Sequence, residues 1–473
     1  MKILFVSTEA EPFAKSGGLG DVIGSLPKAL MKEGADARVV LPLYRRIRQC
    51  YGDQLIFLGE YTVALSWRQL YCGLYKMTYQ GVEFYFIDNE AYFDREAYYG
   101  YFDDGERFAY YAKAVLSMLK TLDWCPDILH CHEWQTALVP IYLKVELAAD
   151  PFYKEFHTVF TIHNIEYQGQ FDLGIAQDLF GISVEHAALI SFNNQINLLK
   201  GAIVCCDSLT TVSPTYAEEL QEPYFAHKLD PVIRQYAYKL KGIINGIDQD
   251  KFNPATDPMI FCNYTQRGLK KKQANKDALR RQVGLAQAQE KPLIGMIGRL
   301  VAHKGIDLVA ENVEFIIGQG AQIIILGTGD KAYEDFFIQK AKQHPDSVSV
   351  NIHFSPDLAN KIYAGSDLFL MPSKSEPCGI AQMIALRYGT VPIVRETGGL
   401  KDSIKAFNPI TKSGNGITFV DYDGTELQHA IRRGLALYKE EDTWQALVRN
   451  AFKSDFSWKQ SAKAYIALYE AIL

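Results

Sequence analysis

The sequence has no long apolar run. No stretch approaches the ~20 apolar residues that a bilayer-spanning helix needs, so no membrane partner is expected. The apolar run at residues 3–6 is too short for the core of a signal peptide and meets acidic residues almost at once. It reads as a first strand, and the chain is expected in the cytoplasm. A strong charge of either sign is also missing. The net charge of −6 gives no reason to invoke nucleic acid or an anionic membrane surface. The basic run at residues 267–276, which includes Lys270, Lys271 and Lys272, leads into a polar helix and is expected to be a solvated face. Cysteine is sparse: the eight show no C-x-x-C or zinc spacing, and the adjacent Cys205 and Cys206 sit in an apolar run. A disulfide framework is thereby excluded, and reduced, buried thiols are expected. Neither a Walker loop nor G-x-G-x-x-G occurs. His130, His132 and Glu133 have a spacing that metal sites use, but no further ligand set accompanies them, so no metal is expected.

What is present is globular and repetitive in plan. The chain of 473 residues is too long for one ordinary core, which predicts two domains, and 48% hydrophobic with 22% charged residues suits both. The N-terminal half alternates short apolar runs with helical periods. Strands are predicted over 2–7, 37–41, 127–131 and 158–162, and another strand-to-helix step at 210–214. Between the first two lies Lys15-Ser16-Gly17-Gly18-Leu19-Gly20-Asp21, followed by a helix over about 21–33. Such a strand, Gly-rich loop, helix and strand form a right-handed parallel crossover. The loop's backbone N–H groups suit a diphosphate and Lys15 adds charge, a reading favoured over that of a flexible loop with a surface lysine. The aromatic cluster Tyr92, Phe93, Tyr98, Tyr99, Tyr101 and Phe102 is either core or a platform for sugar rings, and residues 84–87 read as a strand of a β insertion.

A second α/β series begins after a polar stretch at 252–290, with strands predicted over 293–297, 322–326, 347–353, 367–370 and 391–394. The junction is expected near 243–250. Met371-Pro-Ser-Lys-Ser-Glu-Pro-Cys-Gly-Ile-Ala-Gln382 follows one of these strands and opens a helix. Pro377 stiffens the turn, Gly379 lets backbone approach a ligand, and Glu376 is placed to hold sugar hydroxyls. Arg299 and Lys304 share one loop at another strand's end, where two cations can clamp a diphosphate. Thr397-Gly398-Gly399-Leu400 forms a further strand-to-helix turn.

Taken together, these motifs resemble the bacterial glycogen synthases and their plant starch synthase relatives. The matching residues are 15–21, 161–164, 245–248, Gly298-Arg299 with Lys304-Gly305, 376–379 and 397–400, in family order over nearly the whole chain. The resemblance implies an α/β GT-B fold: two Rossmann-like doubly wound domains, at 1–245 and 246–456, facing across a deep cleft, with a helix at 457–473 crossing back to the first. It implies retaining transfer of glucose from ADP-glucose to the non-reducing 4-hydroxyl of an α-1,4-glucan such as glycogen, with no cofactor. Residue by residue, Arg299 and Lys304 would stabilise departing ADP, Glu376 would hold sugar hydroxyls and His163 would lie beside the reacting sugar. Lys15, Gly18 and Asp21 would serve the diphosphate and nucleotide side, and Phe354 would stack on the base. Glu133, Asn164, Cys378, Gly379, Ile380, Ala381, Thr397, Gly398 and Gly399 complete the implied substrate contacts. Departures from the family pattern are Ser16 for threonine, Glu133 for aspartate and Ala381 for a hydroxyl residue, while Ile384 replaces the second glutamate of broader GT-B enzymes, as is normal for this branch. Rival readings keep the fold but use a UDP-sugar, or phosphorolysis, or retain only glucan binding.

Overall fold

The computed structural model describes residues 1–473. The chain divides into two compact units, Met1–Gly246 with Trp458–Leu473, and Ile247–Ser457. Strands of the first are β1 (Lys2–Val6), β2 (Asp36–Pro42), β3 (Ile56–Leu65), β4 (Arg68–Tyr79), β5 (Val82–Asp88), β6 (Ile128–His132) and β7 (His157–Ile162). After them come β8 (Gln170–Phe171), β9 (Ser191–Phe192), β10 (Gln195–Asn197), β11 (Ser208–Thr211) and β12 (Leu240–Gly242). Nine form one sheet in the order β12-β11-β7-β6-β1-β2-β5-β4-β3, and β8, β10 and β9 form a small separate one. The large sheet is parallel from β12 to β5. It ends in an antiparallel hairpin of β3 and β4 on β5, the β insertion that residues 84–87 indicate. β1 is a continuous apolar run because both faces are covered: Ile3, Leu4, Phe5 and Val6 are fully buried.

The second unit has β13 (Leu293–Ile297), β14 (Gln322–Leu326), β15 (Val348–Asn351), β16 (Leu368–Met371), β17 (Val391–Arg395) and β18 (Ile417–Phe419). They form one parallel sheet in the order β15-β14-β13-β16-β17-β18. In chain order this is 3-2-1-4-5-6, the doubly wound arrangement in which ligands bind beyond the C-terminal ends of the strands where the order reverses. The reversal lies between β13 and β16. The parallel part of the first sheet follows the same rule, with its reversal between β1 and β6.

Two local expectations need correction. The first helix spans Gly18–Lys32, so it starts inside the Gly-rich motif and places Asp21 in its first turn, where the helix dipole favours a carboxylate. The polar helix expected with the basic run is Lys270–Val283, 14 residues long. The basic run is not simply solvated. Arg267, Lys270 and Lys271 are exposed, but Lys276 is buried in an ion pair with Asp367 at 2.6 Å. Lys272 Nζ donates to Thr390 Oγ1 (2.7 Å) and to the Ala364 carbonyl (2.9 Å). Burial pulls Lys272 down to about 7. The helix lies against the segment leading into β16, so one of its faces must be buried and its cations find internal acceptors.

The last helix, Trp458–Glu470, belongs to the first unit and packs on helix Gly18–Lys32. Its Ser461 Oγ donates to the Ile244 carbonyl at 2.6 Å, and its buried Tyr469 hydroxyl lies 2.7 Å from His130 Nδ1.

Candidate active site

In the second unit the two loops flanking the strand-order reversal are tied to each other. Lys374 N–H donates to the His303 carbonyl at 2.9 Å. Gly305 adopts φ +73°, and a Cβ there would lie 2.1 Å from the Pro372 carbonyl oxygen. Lys304 is thereby delivered to Glu376: its Nζ donates to both carboxylate oxygens, at 2.9 and 2.7 Å. Ser373 Oγ donates to Glu376 Oε2 at 3.0 Å. Glu376 is 6% exposed, so its charge is held by a cation and a hydroxyl rather than by water. An ammonium has three N–H donors, which leaves Lys304 one beyond the carboxylate.

The turn after β17 closes on the same place. Gly399 N–H donates to the Glu376 carbonyl at 3.1 Å, and a Cβ on Gly399 would lie 2.1 Å from the Cys378 carbonyl oxygen. Gly398 (φ +42°) is equally close to the Glu376 carbonyl. Gln382, which sequence reasoning passed over, joins these turns: its Nε2 donates to the carbonyls of Cys378 and Gly379 and to Ser403 Oγ. Thr397, Gly398, Gly399 and Cys378 are buried, whereas Gly379, Ile380 and Ala381 are half-buried at the start of helix Ala381–Arg387. Arg299 is exposed, its Nη2 3.4 Å from His303 Nε2. Phe354, just beyond β15, is 89% exposed, so its ring face is open.

In the first unit the candidate residues also gather at the C-terminal ends of strands, β1, β6 and β7. The loop after β1 corrects one expectation. The backbone N–H groups of Ser16 (2.6 Å) and Gly17 (3.2 Å) both donate to Glu9 Oε2. Ser16 Oγ and the Tyr99 hydroxyl donate to Glu9 Oε1, at 2.6 and 2.8 Å. Glu9 is buried, so these amides serve an internal carboxylate and are not presented to a diphosphate. Gly18 is exposed, with open space where a Cβ would stand. Lys15 forms ion pairs with Asp21 (2.5 Å) and Glu11 (3.4 Å). Burial opposes the Lys15 charge, but Asp21 and Glu11 outweigh it and raise its pKa. Burial pushes Asp21 up to about 6 against the pull of Lys15. Of the aromatic cluster, Tyr92 and Phe93 are core, Tyr99 anchors Glu9 and Phe102 is fully exposed.

Glu133 follows β6 with φ +65°, a strained conformation for a residue with a Cβ. Its backbone N–H donates to the Thr161 carbonyl, and its Oε1 accepts from the N–H groups of His163 and Asn164. The longer side chain at this position therefore turns inward and shapes the end of β7. Burial pushes its carboxyl up to about 8, against the effect of those two donors. Asn164 Oδ1 accepts from Glu166 N–H at 3.0 Å, which fixes the turn. His163 Nε2 lies 3.0 Å from His132 Nδ1, and burial pulls His163 down to about 3, so it is neutral at ordinary pH. Asn245, beyond β12, has a buried Oδ1 with no protein partner. Its Asn-Gly turn lies in the matching motif 245–248, at the expected domain junction.

The chain matches two protein-family models in succession, "Starch synthase catalytic domain" over residues 2–235 and "Glycosyl transferases group 1" over residues 277–453. It is 46% identical over 475 residues to a glycogen synthase of Desulforamulus reducens, covering 100% of this chain and 99% of that protein. It is 47% identical to one from Clostridium botulinum, with the same coverage. Among solved structures, the catalytic domain of starch synthase IV from Arabidopsis thaliana, bound to ADP and acarbose, superposes with a TM-score of 0.90 at 34% identity over 99% of both chains. Sucrose-phosphate synthase of Thermosynechococcus elongatus, at 17% identity and a TM-score of 0.63, shares the fold. With two doubly wound units and full-length likeness to these enzymes, the chain belongs to the glycogen and starch synthase family of glycosyltransferases with the GT-B fold.

Proposed function

We propose that this enzyme transfers glucose from ADP-glucose to the 4-hydroxyl at the non-reducing end of an α-1,4-glucan, with retention at the anomeric carbon. The observation that carries this reading is the Lys304–Glu376 pair at the strand-order reversal of the second unit, on the same loop as exposed Arg299. Breaking the anomeric C–O bond puts negative charge on the departing phosphate and positive charge on the sugar. Arg299 and the remaining N–H of Lys304 stabilise the first. Because Lys304 is already balanced by Glu376, Arg299 supplies the uncompensated charge, and the pair supplies direction and hydrogen bonds. Glu376 receives sugar hydroxyls, and the open face of Phe354 stacks on the base. In the first unit, Lys15, Gly18 and His163 serve the sugar and diphosphate. The acceptor hydroxyl attacks from the face the phosphate leaves, through a short-lived ion pair. The relative solved with ADP and acarbose supports a nucleotide and a glucan as the two substrates.

The test is glucose transfer to glycogen from ADP-glucose and UDP-glucose in parallel, by wild type and Lys304→Ala. Transfer from ADP-glucose, reduced on the order of 10²–10³ in the variant, is the expected result. Preference for UDP-glucose would overturn the donor assignment, and glycogen binding without transfer from either donor would overturn the activity.

A further inference from the structure

His132 is fully buried, inside β6, and does two things at once. Its Nδ1 meets His163 Nε2 at 3.0 Å, while its Nε2 has no partner. The ring packs against both Phe5 (centroids 5.6 Å apart, 15° between planes) and His130 (4.1 Å), which also touch each other (5.1 Å). No protein hydrogen bond reaches Nδ1 of half-buried His163.

A hydrogen bond between two neutral imidazoles needs one donor and one acceptor, so the pair has two arrangements. In one, His163 Nε2–H donates to His132 Nδ1. His132 must then carry its proton on Nε2, as a buried N–H facing no acceptor. In the other, His132 Nδ1–H donates, His132 Nε2 is an unprotonated nitrogen, and His163 carries its proton on Nδ1. Among backbone groups, orphaned buried N–H donors are rarer in folded proteins than under-satisfied acceptors, and a buried ring N–H loses its water in the same way. The first arrangement therefore creates the more unfavourable group, and burial keeps both rings from escaping it by protonation.

We propose that His132 is a positioning residue that sets the tautomer of His163, so that His163 offers a neutral Nδ1–H donor to an oxygen of the bound sugar nucleotide. A donor on His163 suits a sugar hydroxyl or phosphate oxygen, and it removes His163 from any role as a base through that nitrogen. His130 does not compete for this position. Its Nδ1 is held by the Tyr469 hydroxyl at 2.7 Å and its Nε2 by Thr161 Oγ1 at 2.6 Å, so it packs against His132, tilted by 33°, without bonding to it. The contribution to turnover rests on the transferase reading above, but the tautomer itself does not.

Selective ¹⁵N-histidine labelling of the full chain, with long-range ¹H–¹⁵N correlation, reads the tautomers directly. The His163 and His132 signals are assigned by their loss in His163→Asn and His132→Phe. Protons on Nδ1 of both residues are expected, and a proton on Nε2 of His163 overturns the proposal even if transfer from ADP-glucose is found. The second arm compares His132→Asn, whose amide N–H approximates Nδ1–H, with His132→Phe, which has no donor. With both variants folded by circular dichroism, the Phe variant is expected to lose about tenfold in kcat, with KM for ADP-glucose within roughly twofold, and the Asn variant to recover most of that loss. Equal rates in the two folded variants, whether both high or both low, would overturn it.

Discussion

In the first unit the loop beyond β1 turns two of its amides, those of Ser16 and Gly17, onto a carboxylate of its own, Glu9. In the second, the loop beyond β13 sends a cation across to a carboxylate on the neighbouring loop, Lys304 to Glu376, and keeps Arg299 exposed. The parallel strands follow the same order about the reversal in both sheets, with β12 an added strand in the first, and the strand ends offer the same opportunity. What differs is how the loops are stiffened. The second unit uses glycine backbones in contact with carbonyls from adjoining turns. The first uses side chains: Glu9 under the Gly-rich loop, Glu133 under the His163 turn, and a row of neutral histidines. One fold plan thus supports a site that holds an exposed cation and one stiffened by buried side-chain hydrogen bonds.

The largest expected effect tests the glycine contacts. Gly399→Ala and Gly305→Ala place a Cβ about 2.1 Å from a carbonyl oxygen, in the second case at positive φ. Each is expected to destabilise by more than about 4 kcal/mol in denaturant titration. Gly18→Ala in the first unit meets nothing and should change stability by no more than about 0.5 kcal/mol. If all three behave alike, the contrast in stiffening is wrong. Next in size is Glu9→Ala, which removes the acceptor for two amides and two hydroxyls. A loss of about 1.5–3 kcal/mol by the same titration is expected, largely restored in Glu9→Gln, because Ser16 Oγ and the Tyr99 hydroxyl can turn to accept.

A further effect lies in pH dependence. The Glu133 carboxyl moves from an ordinary 4.5 up to about 8 in the folded chain because it is buried. Between those values the folded state holds a proton that the unfolded state has released. That part of the stability is therefore full below 4.5, declines as pH rises and is gone above about 8. Glu133→Gln keeps an oxygen for the amides of His163 and Asn164 and does not titrate. Thermal unfolding from pH 5 to 8 should show wild type losing several degrees relative to the variant. A constant gap would mean that the two amides hold Glu133 ionised.

Much of this plan was legible because it is local. Buried parallel strands are continuous apolar runs, and the turns with Arg299, Glu376 and Gly398 advertise themselves through glycine, proline and charge. What stayed hidden depends on partners distant in sequence. Nothing around Glu9 says that it will sit beneath Ser16 and Gly17. Lys276 reads as part of a solvated basic run until Asp367, at the entrance to β16, is brought beside it. Asn245 and Gln382 carry ordinary turn and helix signals, and only burial shows that one lacks a partner and the other joins three acceptors.

Helix Trp458–Glu470 completes the first unit but follows the whole of the second in sequence. On a ribosome the first sheet can assemble early, yet Tyr469, which holds His130, is translated only after Ile247–Ser457. At 5–20 residues per second that delay is on the order of ten to forty seconds. Throughout it, the face of helix Gly18–Lys32 that receives the last helix is uncovered, and His130 must wait or find another partner. The nascent chain is thus open to chaperones, and to early degradation, until its final turns are made.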